Sequence, residues 1–237
     1  MIRFKKKFTI LIFFSDLIRK IFKGDRIKRI SSKINFFIAQ EFFKNKSKKL
    51  TIIDFGCGSM EVAKKIQNNI FIKEIIGLDI FSYNFKYKKL KYVQYKNLKQ
   101  IENLKADIVM VIDVLHHIGV NNAFKVLKKL AKISNTLIVK DHFEYGFISR
   151  QLLRFVDFYA NYSYGVTIPK KYFTLSKWQK TIKKSSLREV YIENGFQQHD
   201  GIFNVVLNKK YHFFSLLKKK KLPDYILFFY KYYKQSN

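Results

Sequence analysis

The stretch Ile52-Ile53-Asp54-Phe55-Gly56-Cys57-Gly58-Ser59 decides the fold. Its first half is apolar and β-branched, which is typical of a buried strand. Its second half turns through two glycines, so that backbone N–H groups can approach a ligand closely at the strand's carboxyl end, where open α/β sheets bind their ligands. The sequence therefore predicts a ligand-binding strand, loop and helix that begin near residue 50.

Two common phosphate-binding loops do not fit this stretch. A dinucleotide fingerprint needs the spacing G-x-G-x-x-G, whereas Ser59, Met60 and Glu61 follow the second glycine here. A P-loop needs G-K-[ST] after its glycines, and none follows. The pattern excludes both kinds of site.

Short apolar runs alternate with helical patterns on the carboxyl side of the glycine loop. Such alternation indicates βαβ units and a parallel sheet covered on both faces. A final pair of strands surrounds Asn194-Gly195 and closes the sheet. The predicted strands are Leu50 to Phe55, Glu74 to Phe81, Tyr92 to Tyr95, Ile108 to Asp113, Thr136 to Lys140, Arg188 to Ile192 and Gly201 to Leu207. The predicted helices are Glu61 to Asn68, Asn122 to Ile133 and Leu175 to Lys184.

The chain divides into three parts. Residues 1–49 form an N-terminal helical section, in which Ile10 to Phe22 reads as an amphipathic helix and Arg29 to Lys44 as a second helix. Residues 50–208 form the main domain, with an inserted segment around 143–187, and residues 209–237 form a basic aromatic tail. No apolar run approaches the ~18 residues of a transmembrane helix.

Charge is the unusual property of this composition. The chain has 47 Lys+Arg against 17 Asp+Glu, a formal net charge of +30, which favours a polyanionic partner such as nucleic acid or an anionic membrane. Only seven of the 47 are Arg, the residue preferred for bidentate phosphate and base contacts. Heavy use of Lys, Ile, Phe, Tyr and Asn also suits an AT-rich genome, so both explanations of the charge stay open.

The single cysteine, Cys57, excludes an internal disulfide and favours a reducing, cytoplasmic setting.

Three motifs together resemble the class I S-adenosylmethionine-dependent methyltransferases. Within that family the resemblance is to the small-molecule branch, of the uncharacterised bacterial type. The three motifs are Asp54-x-Gly56-x-Gly58, then Ile75-Ile76-Gly77-Leu78-Asp79, and then Ala106 to Ile118 with its Leu-His-His turn. The resemblance spans roughly residues 50 to 140, and three motifs in register are more specific than one glycine loop. It implies an α/β, Rossmann-like doubly wound sheet of about seven strands, mostly parallel with an antiparallel closing strand, preceded by N-terminal helices.

The resemblance also implies S-adenosyl-L-methionine as cofactor and assigns residues to it. Gly56 and Gly58 would lie against its methionine part, and Asp79 would accept hydrogen bonds from both ribose hydroxyls. The same resemblance places Asp54 and Asp113 around the cofactor and leaves Asn97 to accept a hydrogen bond from the adenine amino group. The sequence departs from the family at Met60, where a third glycine is usual, and we expect a tighter or more occluded turn there.

Catalysis is predicted at the end of the fifth strand. An imidazole suits a general base at neutral pH, so we expect His142, with Asp141 nearby, to take a proton from the acceptor. No metal site is predicted, because the five histidines include no H-E-x-x-H and no cysteine cluster. His116 and His117 are adjacent and diverge, so we expect one of them to be structural and the other to face the site.

These observations predict a methyltransferase that acts on a small or lipid-like acceptor. The Asn/Asp-Pro-Pro-aromatic motif of the amino-methylating nucleic-acid enzymes in this family is absent. Two rivals stay open: an RNA methyltransferase, and a catalytically inactive membrane-peripheral assembly protein of the same fold. The expected location is the cytoplasm, with peripheral binding to the inner face of the membrane through the two basic, apolar ends.

Overall fold

The computed structural model describes residues 25–46, 48–82, 89–161, 166–199, 204 and 207–220. A helix, α1, covers residues 25–44, and a short 3-10 helix covers Lys209–Tyr211. The strands are β1 (Leu50–Phe55), β2 (Ile72–Asp79), β3 (Leu90–Gln94), β4 (Ile108–Ile112), β5 (Thr136–His142), β6 (Leu187–Asn194) and β7 (His212–Lys219). The remaining helices are α2 (Glu61–Ile66), α3 (Leu115–Ile118), α4 (Ala123–Ile133), α5 (Phe147–Asn161) and α6 (Leu175–Lys184).

The strands form one sheet in the order β3-β2-β1-β4-β5-β7-β6. Neighbours from β3 to β5 are parallel, and β7 runs antiparallel to both β5 and β6. The order reverses between β1 and β4, which is the switch point where doubly wound sheets open a crevice at their carboxyl ends. This architecture confirms the predicted Rossmann-like sheet of mostly parallel strands.

Helices cover both faces of the sheet, as the near-continuous apolar strands require. On one face, alternate strand residues such as Ile53 and Val109 pack under α4 and α6. On the other face, residues such as Ile52 and Met110 pack under α1 and α2. Because α1 buries its apolar stripe on the sheet, residues 25–44 of the N-terminal section share the core of the main domain.

The position of the last strand was predicted incorrectly. We expected Gly201 to Leu207 to pair with β6, but the partner of β6 is His212–Lys219, in the segment assigned to the tail. Its first six residues are all buried, and such a two-sided apolar run is typical of a strand inside a sheet. Lysines flank this run in the sequence, so its apolar pattern was not recognised as a strand. Most of 201–207 lies outside the described residues.

The segment around 143–187 is only partly an insertion. Helix α6 buries Trp178 and Ile182 in the main core, so it belongs to the regular helical layer. Helix α5, in contrast, lies over the carboxyl end of the sheet. The predicted helix Ile10 to Phe22 and residues 221–237 lie outside the described residues. Within the described part of the chain, every helix is too short or too polar to span a bilayer.

Candidate functional site

A cavity of about 640 Å³ opens at the carboxyl end of the sheet. This volume is in the range of roughly 300–1,000 Å³ that is usual for small-molecule sites. Six of the predicted site residues line it: Asp54, Gly56, Gly58, Asp79, Asp113 and His142. Residues from α1, α5 and β7 complete its wall.

The glycine loop shapes one side of this cavity. The Gly56 N–H donates to the Leu78 carbonyl at 2.7 Å, and a Cβ on Gly56 would lie 2.5 Å from Cγ2 of Val114. Gly58 differs, because a Cβ there would meet nothing within 4 Å. Both residues have positive φ angles, +69° and +49°, which favour glycine. Gly56 therefore serves packing, whereas Gly58 leaves open space for a ligand.

Two buried carboxylates lie beside the loop. Asp79, at the end of β2, accepts hydrogen bonds from the Gly58 N–H at 2.7 Å and the Phe81 N–H at 3.1 Å. Asp54, the last residue but one of β1, lies nearby. Burial, followed by the negative charge of Asp79, raises the pKa of Asp54 to about 7. The pair therefore gives this end of the cavity an affinity for hydroxyl and cationic groups.

Met60 takes the position where the resembling family has a third glycine. Its φ is +56°, a left-handed conformation that is unusual for a side chain of this size. The side chain is fully buried and points toward Gly77 of β2, where a Cβ would lie 2.7 Å from the methionine Cε. Met60 does not line the cavity, so its side chain leaves the ligand space open.

Asn97 is the predicted cofactor residue that the structure does not bring to the site. It is exposed and is not among the residues that line the cavity. Its side-chain oxygen accepts a hydrogen bond from the Lys99 N–H at 3.0 Å, a local turn contact. Tyr95, at the end of β3, lines the cavity instead and stacks on Phe55.

Asp113 anchors an ion network at the end of β4. Its carboxylate accepts hydrogen bonds from Lys140 Nζ at 2.6 Å and from the Arg26 guanidinium. It also faces His142 Nε2 at 3.1 Å. Burial opposes the charge of Asp113, but Lys140, His142 and Arg26 outweigh it and hold the pKa of Asp113 well below its usual range. Sequence reasoning missed Arg26 because α1 is distant in the chain.

His142 uses both of its ring nitrogens. Because an ionised carboxylate can only accept hydrogen bonds, His142 Nε2 must carry the proton that faces Asp113. Nδ1 then accepts a hydrogen bond from His212 Nδ1 at 3.0 Å. Burial, with the charge of Lys140 next, lowers the pKa of His142. The ring is thus neutral at pH 7, but in this arrangement no lone pair of it is free for an acceptor proton.

Asp141 does not pair with the ring of His142. One oxygen accepts from His116 Nδ1 at 2.6 Å and from the His142 backbone N–H at 2.7 Å, and the other accepts from the Leu115 N–H at 3.0 Å. It is fully buried and does not line the cavity. Asp141 is therefore a positioning residue for His116 and for the start of α3, which corrects its predicted place beside the base.

His116 and His117 both border the cavity, but they differ in burial: His116 is buried and held by Asp141, whereas His117 is half-buried. His116 Nε2 lies 3.4 Å from an oxygen of Asp157, a residue of α5. Burial disfavours the charged ring, but Asp141 and Asp157 outweigh it and raise the pKa of His116 to about 10. His117 Nδ1 bonds to the Thr167 carbonyl at 3.0 Å. Neither partner could be identified from motifs, since both lie beyond residue 150.

Comparison with known proteins identifies a family. A family model described as a methyltransferase domain matches residues 22–197, most of the chain. No curated protein matches the sequence.

Solved structures share the fold. A SAM-dependent methyltransferase from Archaeoglobus fulgidus has a TM-score of 0.57 at 17% identity, over 87% of this chain and 100% of that chain. The plantazolicin methyltransferase BpumL, solved with a monoazolic desmethylPZN analog and SAH, has a TM-score of 0.55 at 14% identity, over 92% and 99%. Magnesium protoporphyrin IX methyltransferase (ChlM) from Synechocystis PCC 6803, solved with SAH, has a TM-score of 0.54 at 14% identity, over 90% and 100%. At these identities the likeness is one of fold.

Proposed function

The chain belongs to the methyltransferase domain family, and from that premise we propose that it transfers a methyl group from S-adenosylmethionine to a small or lipid-like acceptor. The observation that carries the proposal is the Asp79 carboxylate, which borders the cavity at the end of β2 and is held in place by backbone N–H groups of Gly58 and Phe81.

The residues present fit the cofactor. Asp79 accepts two N–H groups and, with about four lone-pair sites on its two oxygens, keeps room for two ribose hydroxyls. The open space at Gly58 suits the close approach of a methionine chain. Tyr95, Ile80 and Phe81 offer an apolar wall for an adenine ring. When bound, S-adenosylmethionine supplies a methyl group that is already activated by its sulfonium sulfur.

The acceptor would occupy the rest of the cavity, under α5. Val156, Ala160 and Val166 give this part an apolar wall, and His117 and Asp157 give it polar groups. A concave site of this mixed kind suits a small molecule or the polar end of a lipid. In-line positioning of the acceptor would supply much of the rate, because the methyl group needs little further activation.

His142 is the proposed base. Its Nδ1 becomes free when the hydrogen bond from His212 breaks, which an acceptor beside the ring could cause by taking the place of that bond. Asp113 would then hold the Nε2–H and stabilise the imidazolium that forms. His142 thus needs a rearrangement before it can accept a proton.

Calorimetric titration with S-adenosylmethionine and S-adenosylhomocysteine tests the cofactor assignment. We expect both to bind, and Asp79→Asn to weaken binding about 10- to 100-fold, because an amide nitrogen would face the Gly58 N–H or a ribose hydroxyl (about 1–3 kcal/mol). Glu102→Gln, at a half-buried ion pair with Lys129 outside the cavity, is the control and should bind as the wild type does. No binding of either compound, or equal binding by Asp79→Asn, contradicts the proposal.

RNA is the alternative acceptor, and the net charge of +30 favours it. Binding to RNA by contacts with phosphates would weaken steeply with salt, because each neutralised phosphate releases counterions. Label transfer from methyl-labelled S-adenosylmethionine into whole-cell extract, separated into RNA, lipid and small-molecule fractions, distinguishes these acceptor classes.

A further inference from the structure

Three side chains of the cavity wall converge on one point. One nitrogen from each of His116 and His117 and one oxygen of Asp157 lie within 4.8 Å of one another. We infer that this two-histidine cluster binds a divalent transition-metal ion of the zinc class. The inference goes beyond the proposed methyl transfer, because binding of an ion requires neither cofactor nor acceptor.

The other nitrogen of each ring is already anchored. His116 Nδ1 is bonded to the Asp141 carboxylate at 2.6 Å, and His117 Nδ1 to the Thr167 carbonyl at 3.0 Å. Metal-binding histidines are usually held in this way, by a carboxylate or a backbone carbonyl on the nitrogen remote from the ion. The anchoring leaves Nε2 of both rings as the ligand atoms.

The distance between His116 and Asp157 suits an ion better than a hydrogen bond. His116 Nε2 is buried, lies 3.4 Å from Asp157 Oδ2 and has no hydrogen-bond partner of normal geometry. Two ligands about 2.1 Å from a tetrahedral ion lie roughly 3.4 Å apart. An ion would take the place of the proton between these two groups, and the proton would pass to solvent.

The surroundings also fit a site with an open position. The Tyr172 hydroxyl donates to Asp157 Oδ2 at 2.5 Å and so orients the carboxylate. Two imidazoles and one carboxylate match the three-ligand set of catalytic zinc sites, whereas Mg²⁺ prefers oxygen ligands alone. All three side chains line the cavity, so the fourth position faces the space for the acceptor.

The ion would bind an acceptor oxygen in that position. A hydroxyl on such an ion has a lowered pKa, and His142 lies beside the cluster, with its ring centroid 5.0 Å from that of His116. The ion would therefore fix the acceptor next to the proposed base. This use of the ion, unlike its binding, rests on the proposed function.

Titration calorimetry with ZnCl₂ and MgCl₂, on protein first dialysed against a chelator, tests the inference. We expect one zinc ion per chain and much weaker binding of magnesium. His117→Gln and Asp157→Asn should each weaken zinc binding at least 10-fold, and Asp141→Asn should weaken it about 10- to 100-fold. His199→Gln removes another histidine of the same cavity wall and should leave zinc binding unchanged.

Folding and cofactor binding are measured on the same preparations. A thermal melt in the absence of zinc identifies any variant that fails to fold. If a variant at a buried position fails to fold, the test rests on His117→Gln, because His117 is only half-buried. The inference is overturned if the wild-type protein binds no zinc, or if His117→Gln and Asp157→Asn leave zinc binding unchanged. Either result counts against the zinc site even when S-adenosylmethionine binds. Zinc binding lost in both variants supports it, even if the cofactor fails to bind.

Discussion

At the scale of single residues, Asp54 makes the stability of the fold depend on pH. Its pKa is raised from 3.8 to about 7 in the folded chain, chiefly by burial. A carboxyl group with a raised pKa is best tolerated in its protonated form, so its contribution to stability is complete below about pH 4 and is lost as the pH rises through about 7.

Replacing Asp54 with Asn removes this dependence. We expect Asp54→Asn to gain stability relative to the wild type between pH 5 and pH 8, by about 2–3 kcal/mol, since about two pKa units separate pH 5 from the folded pKa of about 7 and each unit corresponds to about 1.36 kcal/mol. Denaturant unfolding of both proteins at the two pH values measures the difference. An equal gap between the proteins at pH 5 and at pH 8 would show that Asp54 does not titrate in this range.

The proposed base gives a second prediction at this scale. His142→Ala should lower the rate of methyl-label transfer roughly 10²- to 10⁴-fold, the usual contribution of a general base. The affinity for S-adenosylmethionine should stay close to that of the wild type, because the ring faces Asp113 and His212 and not the Gly58 loop. Glu102→Gln, at the ion pair with Lys129 outside the cavity, is the control and should leave the rate unchanged. A loss of cofactor affinity with an unchanged rate at saturation would place His142 in the cofactor site instead.

At the scale of elements, the two glycines of the loop between β1 and α2 have different roles: Gly56 packs against Val114, and Gly58 borders the ligand space. Gly56→Ala should cost about 2–4 kcal/mol of stability, because it adds left-handed strain and a clash with Val114. Gly58→Ala adds only the strain, about 1 kcal/mol, but places a methyl group in the ligand space. We expect Gly58→Ala to fold and to lose cofactor affinity. Unfolding curves and cofactor titration of the two variants check this contrast, and equal losses of stability would refute it.

Most of the parallel half of the sheet could be predicted from the sequence, because the signals there are local. Each strand carries its own apolar run, and the acid that ends β2 follows that run directly, so local signals point to Asp54, Gly56, Gly58 and Asp79, which the structure brings together in one cavity. Strand β7 could not be placed in this way, because its run His212–Lys219 lies among lysines and pairs with a strand 70 residues earlier. Local pattern carries no information on such pairings.

The same limit explains what was missed in the site. Sequence reasoning named Asp141 but not its contact with His116, which lies 25 residues earlier, and it did not find Thr167, which lies 50 residues from His117. Adjacent histidines on a helix point in different directions, and it is the placement of α5 across the cavity that gives both a common neighbour in Asp157. The tertiary arrangement of α3 and α5, and not any motif, therefore creates the cluster.

At the scale of the whole molecule, charge and exposed apolar surface favour an anionic membrane as a partner. The net charge is +30, and α5 exposes the residues Phe147, Ile148 and Phe155 by 69%, 81% and 57%. Ile148 and Phe155 are seven residues apart and so lie on one side of the helix. Because α5 also walls the acceptor space, a membrane that contacts this face would lie beside the entrance for a lipid-like acceptor.

Flotation with phosphatidylglycerol vesicles tests this placement. Each lysine near an anionic surface contributes on the order of 1 kcal/mol, so we expect the protein to float at low salt and to be released as salt rises. Ile148→Ser with Phe155→Ser should reduce binding, and removal of residues 1–24 and 221–237 should reduce it further. The second truncation begins at 221 because Lys218 belongs to β7 and pairs with Glu41 of α1. Protein that stays at the bottom of the gradient, or binding that survives all of these changes, would exclude a membrane contact through α5 and the two ends of the chain.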